Sequence, residues 1–180
     1  MLGAGGLDDL AVAARHGDRW ALAELVRGTQ RDVLRLCHAL AGPDAAEDVA
    51  QETYERALRS LPRWRGEAPV RVWLLSIARR ACADHVRKAV RRRRVVGALR
   101  RPAASASVSA VSDVSGAHAL SDLLGGLDAD RRVAFVLTQV VGLTYEEAAR
   151  VCGCAVGTIR SRVSRARDQL IDAGQAAETA

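Results

Sequence analysis

Residues 143–170 read LTYEEAARVCGCAVGTIRSRVSRARDQL. Thr144 stands three residues before Glu147, the spacing of a capping box, in which each side chain takes a backbone N–H at a helix start. The pattern predicts a helix over "YEEAARV", a tight turn at "CGCAV" and a last helix from about Val156 to Ile171. A helix, a turn of about four residues containing Gly and a second helix make the helix-turn-helix pattern. At about 100° per residue, Val156, Ile159, Val163, Ala166 and Leu170 form a buried stripe on the last helix. Opposite it lie Gly157, Ser161 and Ser164, flanked by Thr158 and Arg165 on one edge and Arg160 on the other. Small residues at the centre let the helix axis approach a groove, and arginines at the edges reach base edges or phosphates. A solvated Arg face is the alternative. The capped first helix, the Gly turn and the small central residues favour duplex DNA. Arg162 and Arg167 lie nearer the buried stripe, which suits phosphate or structural roles.

Upstream, "LDADRRVAFVLTQVVGLT" reads as a capped helix stopped at Gly142, and Leu120, Leu123 and Leu124 open this second helical block. Before it, residues 101–117, RPAASASVSAVSDVSGA, are dominated by Ser, Ala, Val and Gly with no helical stripe, the composition of a flexible linker. The first block is again helical by period. A short helix over Leu7–Ala14 stops near Gly17. Asp18 caps a second helix, which Gly28 is expected to interrupt and "AGPD" to end. A third helix runs from about Asp44 to Ser60. "LPRWRGEAP", residues 61–69, is a loop punctuated by Pro62, Gly66 and Pro69, and a fourth helix runs from about Val70 into Arg91–Arg94. The expected fold class is all-α: two small helical domains joined by a flexible linker, the C-terminal one a helix-turn-helix domain. Aromatics are only 3% while apolar residues are 49%, mostly Ala, Leu and Val, which suits helices better than sheets.

The net charge is +6, a balance that points to a polyanionic partner. It is also unevenly placed. Residues 79–101 hold ten Lys or Arg against one acid, Asp84, whereas residues 44–55 hold five acids and no base. No stretch approaches the roughly 18 apolar residues of a membrane span, and the N-terminus lacks the basic start and apolar block of a signal peptide. Cytoplasmic residence is expected, with Cys37, Cys82, Cys152 and Cys154 as free thiols.

On the fourth helix Ser76, Arg79, Arg80, Ala83 and Arg87 share a face, with Trp73 at its edge, while Trp64 stands in the loop between Arg63 and Arg65. Aromatics beside arginines suit a splayed base, the ring stacking and the guanidinium holding phosphate. Burial of both rings in the core is the equal alternative. On the third helix Asp44, Asp48, Gln51, Glu52 and Glu55 line one side, with Glu52–Arg56 and Glu55–Arg59 at i,i+4 spacing. An acidic stripe cannot meet DNA, so a function for it means a protein partner.

Catalytic signatures are lacking: there is no P-loop, GxSxG or HExxH. His16, His38, His85 and His118 are scattered, and Cys152 and Cys154 are too close for a zinc knuckle, so neither metal nor cofactor is expected.

Three segments, DAAEDVAQETYERAL (44–58), VRVWLLSIARRACADHVRK (70–88) and residues 143–170, together resemble the extracytoplasmic-function, or group IV, sigma factors of bacterial RNA polymerase. The resemblance covers about residues 7–172 apart from the linker. It implies a polymerase-binding and −10-element domain over residues 1–94, a linker over 95–117 and a −35-element domain over 118–180. It assigns Asp48, Gln51, Glu52 and Glu55 to the clamp helices of the β′ subunit. Arg63, Trp64, Arg65, Trp73, Ser76, Arg80 and Arg87 fall to the −10 element, and Gly157, Thr158, Arg160, Ser161, Ser164 and Arg165 to the −35 element. The partners implied are core RNA polymerase, through β′ and the β flap, and promoter DNA. Many relatives are also held by an anti-sigma factor. The function implied is promoter recognition and opening without catalysis; the alternative is a stand-alone helix-turn-helix regulator. Relatives often carry Asn where Arg80 stands and Phe-Arg-Thr-Trp where this chain has Val70-Arg71-Val72-Trp73.

Overall fold

In the computed structural model, which describes residues 4–99 and 124–178, every regular element is helical. The order is α1 (Ala4–Arg15), α2 (Arg19–Ala41), α3 (Pro43–Ser60), a 3₁₀ turn (Leu61–Arg63), α4 (Val70–Leu99), α5 (Ala129–Phe135) running into a π-helical turn (Val136–Val140), α6 (Tyr145–Cys152) and α7 (Val156–Glu178). The expected caps are present. The Asp18 carboxylate accepts from Trp20 N and Ala21 N at the start of α2. Asp128 accepts from Asp130 N at α5, and Thr144 and Glu147 form the reciprocal box at α6. Gly142 and Gly153 take positive φ, +79° and +66°, where the chain leaves the π turn and α6. Each is a left-handed stop that a Cβ would strain.

Two boundaries differ from expectation. α2 runs unbroken through Gly28. A Cβ there would stand 2.8 Å from Leu7 Cδ2, so Gly28 makes room for α1 rather than breaking a helix. α4 continues as helix through residues 95–99, which the sequence reading gave to the linker. Residues 100–117 of that linker, and Leu120 and Leu123, lie outside the described residues.

α2, α3 and α4 pack as a bundle with α1 laid across α2 and α4; α5, α6 and α7 form the second block. The two blocks also pack on each other, α4 against α6 and α2 against the π turn. Their buried residues form one continuous cluster, from Val33, Leu36 and Val49 through Leu75 and Ala78 to Val136, Leu137, Val151 and Ile159. Two arginines of α4 pin the seam. Arg71 Nε donates to Asp32 Oδ2 at 2.7 Å and its Nη2 donates to the Val141 carbonyl at 2.9 Å. Arg79 Nε donates to the Val151 carbonyl at 3.1 Å. Both carbonyls sit at helix C-termini, where the last C=O groups have no intrahelical partner.

Candidate polymerase and nucleic-acid interfaces

The third helix presents its acids as expected. Ala46, Val49, Ala50, Thr53 and Ala57 are buried, while Asp44, Glu47, Asp48, Gln51 and Glu55 are exposed on the other side. Glu52 is half-buried because Arg56 holds it at 2.5 Å, and Glu55 pairs with Arg59 at 3.1 Å. Asp48 makes no hydrogen bond or ion pair among the described residues. The ridge therefore offers an exposed carboxylate flanked by Gln51 and Glu55, a surface for cationic side chains of a protein.

Arg56 also reaches Asp84 of α4 at 2.7 Å, and Asp84 pairs in turn with Arg87 at 2.5 Å. Chiefly through the Arg56 hydrogen bond, the Asp84 carboxyl is held below the ordinary carboxylate range. The same pair raises Arg56, Asp84 first and Glu52 second. This line of charges fixes α3 to α4.

The loop after α3 makes an open cleft of about 350 Å³ bounded by Arg63, Trp64, Arg65, Glu67, Ala68 and Trp73. Arg63 and Arg65 are exposed at its rim, and Arg80 and Arg87 are exposed farther along α4. Ser76 is half-buried and donates to the Trp73 carbonyl. The two tryptophans divide. Trp73 is half-buried on the cleft side, whereas Trp64 is only 6% exposed and packs with Leu7, Ala11, Leu25, Leu61 and Val70. The Trp64 ring packs in this core, 6.4 Å from the Trp73 ring and tilted 48° to it, and the two rings together line the cleft wall. The Trp64 Nε1 is buried without a hydrogen-bond partner among the described residues.

Two positioning residues were missed by the sequence reading. Asp8 Oδ1 accepts from Val70 N at 2.6 Å, capping α4 from a residue 62 positions earlier. Arg15 donates to the Trp64 carbonyl at 2.8 Å. α1 thereby fastens both ends of the cleft loop. The signal for it was negative: "EAPV" offers no Ser, Thr, Asp or Asn where a helix start wants one.

On α7 the expected stripe is found. Ile159, Val163 and Ala166 are buried, and Val156 and Leu170 half-buried. Gly157, Arg160, Ser161, Ser164 and Arg165 are exposed and Thr158 half-buried. Arg160 and Arg165 have no partner among the described residues. Arg162 is tied to Asp130 and Cys154 and Arg167 to Gln139, in keeping with structural roles. The packing of the blocks leaves the polar face of α7 open.

The cysteines are unpaired thiols. Cys37 and Cys82 lie 3.8 Å apart in the core, and that hydrogen bond, with burial, pushes Cys82 up. Burial pushes Cys152 up to about 11. Burial also pushes Tyr54 up to about 12, its hydroxyl 3.0 Å from Thr29 Oγ1. No group of three His, Cys, Asp or Glu placed to hold a metal occurs among the described residues.

Residues 25–92 match the family Sigma-70 region 2, and residues 117–170 match Sigma-70, region 4. The chain is 40% identical over 162 residues to "ECF RNA polymerase sigma factor SigC" of Mycobacterium tuberculosis, covering 90% of this chain and 88% of the relative. The chain belongs to the extracytoplasmic-function sigma factors. Among solved structures this sigma factor is similar to CnrH in complex with the cytosolic domain of CnrY, with a TM-score of 0.76 and 26% identity over 95% of this chain and 98% of that one. It is similar also to the sigma factor RpoE of Bartonella quintana, in complex with the anti-sigma factor NepR, with a TM-score of 0.69 and 28% identity over 84% and 94%. No helix among the described residues is long and apolar enough to cross a membrane.

Proposed function

We propose that this chain is an alternative sigma factor that joins core RNA polymerase, recognises the −10 and −35 promoter elements and starts transcription, without chemistry of its own. The observation that carries the reading is the separation of charge on one body. An acidic ridge of α3 stands on one side of the bundle, and open arginine faces stand on α4 and α7. Asp48, Gln51, Glu52 and Glu55 meet the β′ clamp helices. Trp73, with Arg63, Arg65, Ser76, Arg80 and Arg87 around the cleft, holds the opened −10 strand, and Trp64 supports Trp73 from beneath. Gly157, Thr158, Arg160, Ser161, Ser164 and Arg165 enter the −35 major groove, and the same block meets the β flap. The first role falls to residues 1–94 and the last to 118–180, with 95–117 between them. The protein works where polymerase works, in the cytoplasm. An anti-sigma factor is a further partner class, since the solved RpoE neighbour carries one.

Run-off transcription from a random promoter library tests this reading. Core enzyme plus this chain starts RNA at promoters sharing two spaced elements, and initiation at none of them overturns it. A stand-alone regulator is less supported, because the N-terminal block matches sigma region 2 rather than a sensor.

A further inference from the structure

The turn between α6 and α7 carries two thiols that the promoter reading leaves without a task, Cys152 and Cys154, separated only by Gly153. Both are half-buried free thiols, whereas Cys37 and Cys82 are 0% and 1% exposed. An oxidant in solvent therefore meets the turn pair and not the core pair. Gly153 closes α6 in the left-handed conformation, φ 66° and ψ 40°, and its N–H and that of Cys154 return to the carbonyls of Arg150 and Ala149. Those dihedrals mirror the α-helix, in which residues two apart have Cα atoms about 5.4 Å apart. The same chord across Gly153 falls within the roughly 4.4–6.8 Å that a disulfide requires.

Two guanidiniums flank the pair. Arg162, which also holds Asp130, donates from Nη1 to Cys154 Sγ at 3.9 Å. Burial pushes Cys152 up to about 11, opposed by Arg79 and reinforced by Cys154, so both sulfurs and the seam arginine share one neighbourhood. Arg79 in turn donates to the carbonyl of Val151, beside Cys152. The plainer role of such residues is to fill a tight turn, since both pack against the core cluster. Filling space accounts for either residue alone. It does not account for two thiols set across a left-handed glycine beside guanidiniums, the partly exposed, electropositive setting of reactive cysteines.

We propose that Cys152 and Cys154 are a modification site: a peroxide converts the dithiol to a disulfide across Gly153, and the altered turn weakens −35 binding until a thiol reductant restores it. The effect on DNA rests on the promoter reading; the oxidation does not. One sulfur attacks a peroxide oxygen, the O–O bond breaks, and water or an alcohol leaves with the thiol proton. The other sulfur attacks the resulting sulfenic acid, the S–S bond forms, the S–O bond breaks and water leaves with the second thiol proton. The electron pair lost by the two sulfurs goes to the peroxide. In a reducing compartment such bonds are transient and redox-sensing. Cys154 adjoins Ala155, whose carbonyl takes the N–H groups of Thr158 and Ile159 at the start of α7. Closing the ring draws Cys154 from Arg162 and shifts this start, which carries Gly157, Thr158 and Arg160.

The test treats the full chain with hydrogen peroxide, removes the peroxide and reads the tryptic peptide 151–160, which holds both turn cysteines and no other. That peptide should lose two hydrogens and regain them with dithiothreitol, while Cys37 and Cys82 stay reduced. Assembled afterwards with core polymerase, the oxidised chain should bind a duplex carrying the −35 element several-fold more weakly than the reduced chain. Cys152→Ala combined with Cys154→Ala should bind like the reduced chain and ignore peroxide. Absence of the disulfide from peptide 151–160 overturns the site. A disulfide that leaves −35 affinity unchanged overturns the switch, and so does an equal loss in the peroxide-treated double variant, which would place the damage elsewhere. If the reduced chain binds no −35 duplex, the promoter reading falls and the effect on DNA with it, while the peptide mass still decides the site.

Discussion

Removing the Asp8 carboxylate of α1 should loosen the cleft proposed for the −10 strand. Asp8 accepts the Val70 N–H at 2.6 Å, at the N-terminus of a 30-residue helix whose local sequence supplies no cap. Loss of a side-chain N-cap costs about 0.5–2 kcal/mol, and the charge-assisted bond and favourable helix-dipole position put Asp8→Ala toward the upper half of that range. A chain of this size loses roughly 2–4 °C of melting temperature per kcal/mol, so a fall of about 3–8 °C is expected by calorimetry of the full chain. Asp8→Asn keeps an acceptor and should fall between variant and parent. Val70 begins the helix that carries Trp73, so holoenzyme bearing Asp8→Ala should also melt a −10 duplex less efficiently while its −35 affinity stays unchanged. Melting and −10 opening both equal to the parent would refute the capping argument.

Other expectations follow from the same contacts. Arg165→Ala should relax one −35 base preference at a cost of ~1–3 kcal/mol if its contact is bidentate; equal loss on every sequence, seen by competition binding, would make it a phosphate contact. The Asp84 carboxyl is held low by Arg56, so its contribution to stability is complete above the unfolded value of about 3.9 and is lost as pH falls through the lower folded value. Its carboxyl carbon should titrate below the usual range by NMR, and a midpoint within that range would contradict the bridge. Arg71→Ala leaves Asp32 and the Val141 carbonyl without that donor, a loss of roughly 1.5–3 kcal/mol for a bond to a charged group. Dyes on the two blocks should then report a wider separation by single-molecule energy transfer, and an unchanged distance would refute the pinning role.

Local signals were legible in the sequence and distant ones were not. Asp18 and the Thr144–Glu147 pair cap helices within three residues of themselves, so spacing alone revealed them. The faces of α3 and α7 followed from the helical period, because one side of each packs and the other does not. Gly28 was misread because its reason lies in Leu7, on another helix. The roles of Trp64 and Trp73 could not be separated by composition; α1 covers one ring and leaves the other at the cleft. Asp8 and Arg15 act on residues 62 and 49 positions away. The seam set by Arg71 and Arg79 exists only once both blocks have formed, so no window of sequence contains it.

The most direct test of the division of labour by charge is the affinity of Asp48→Ala for core polymerase, measured beside its affinity for a −35 duplex. The account predicts weaker core binding with the duplex affinity unaltered. Core binding equal to that of the parent chain would contradict it.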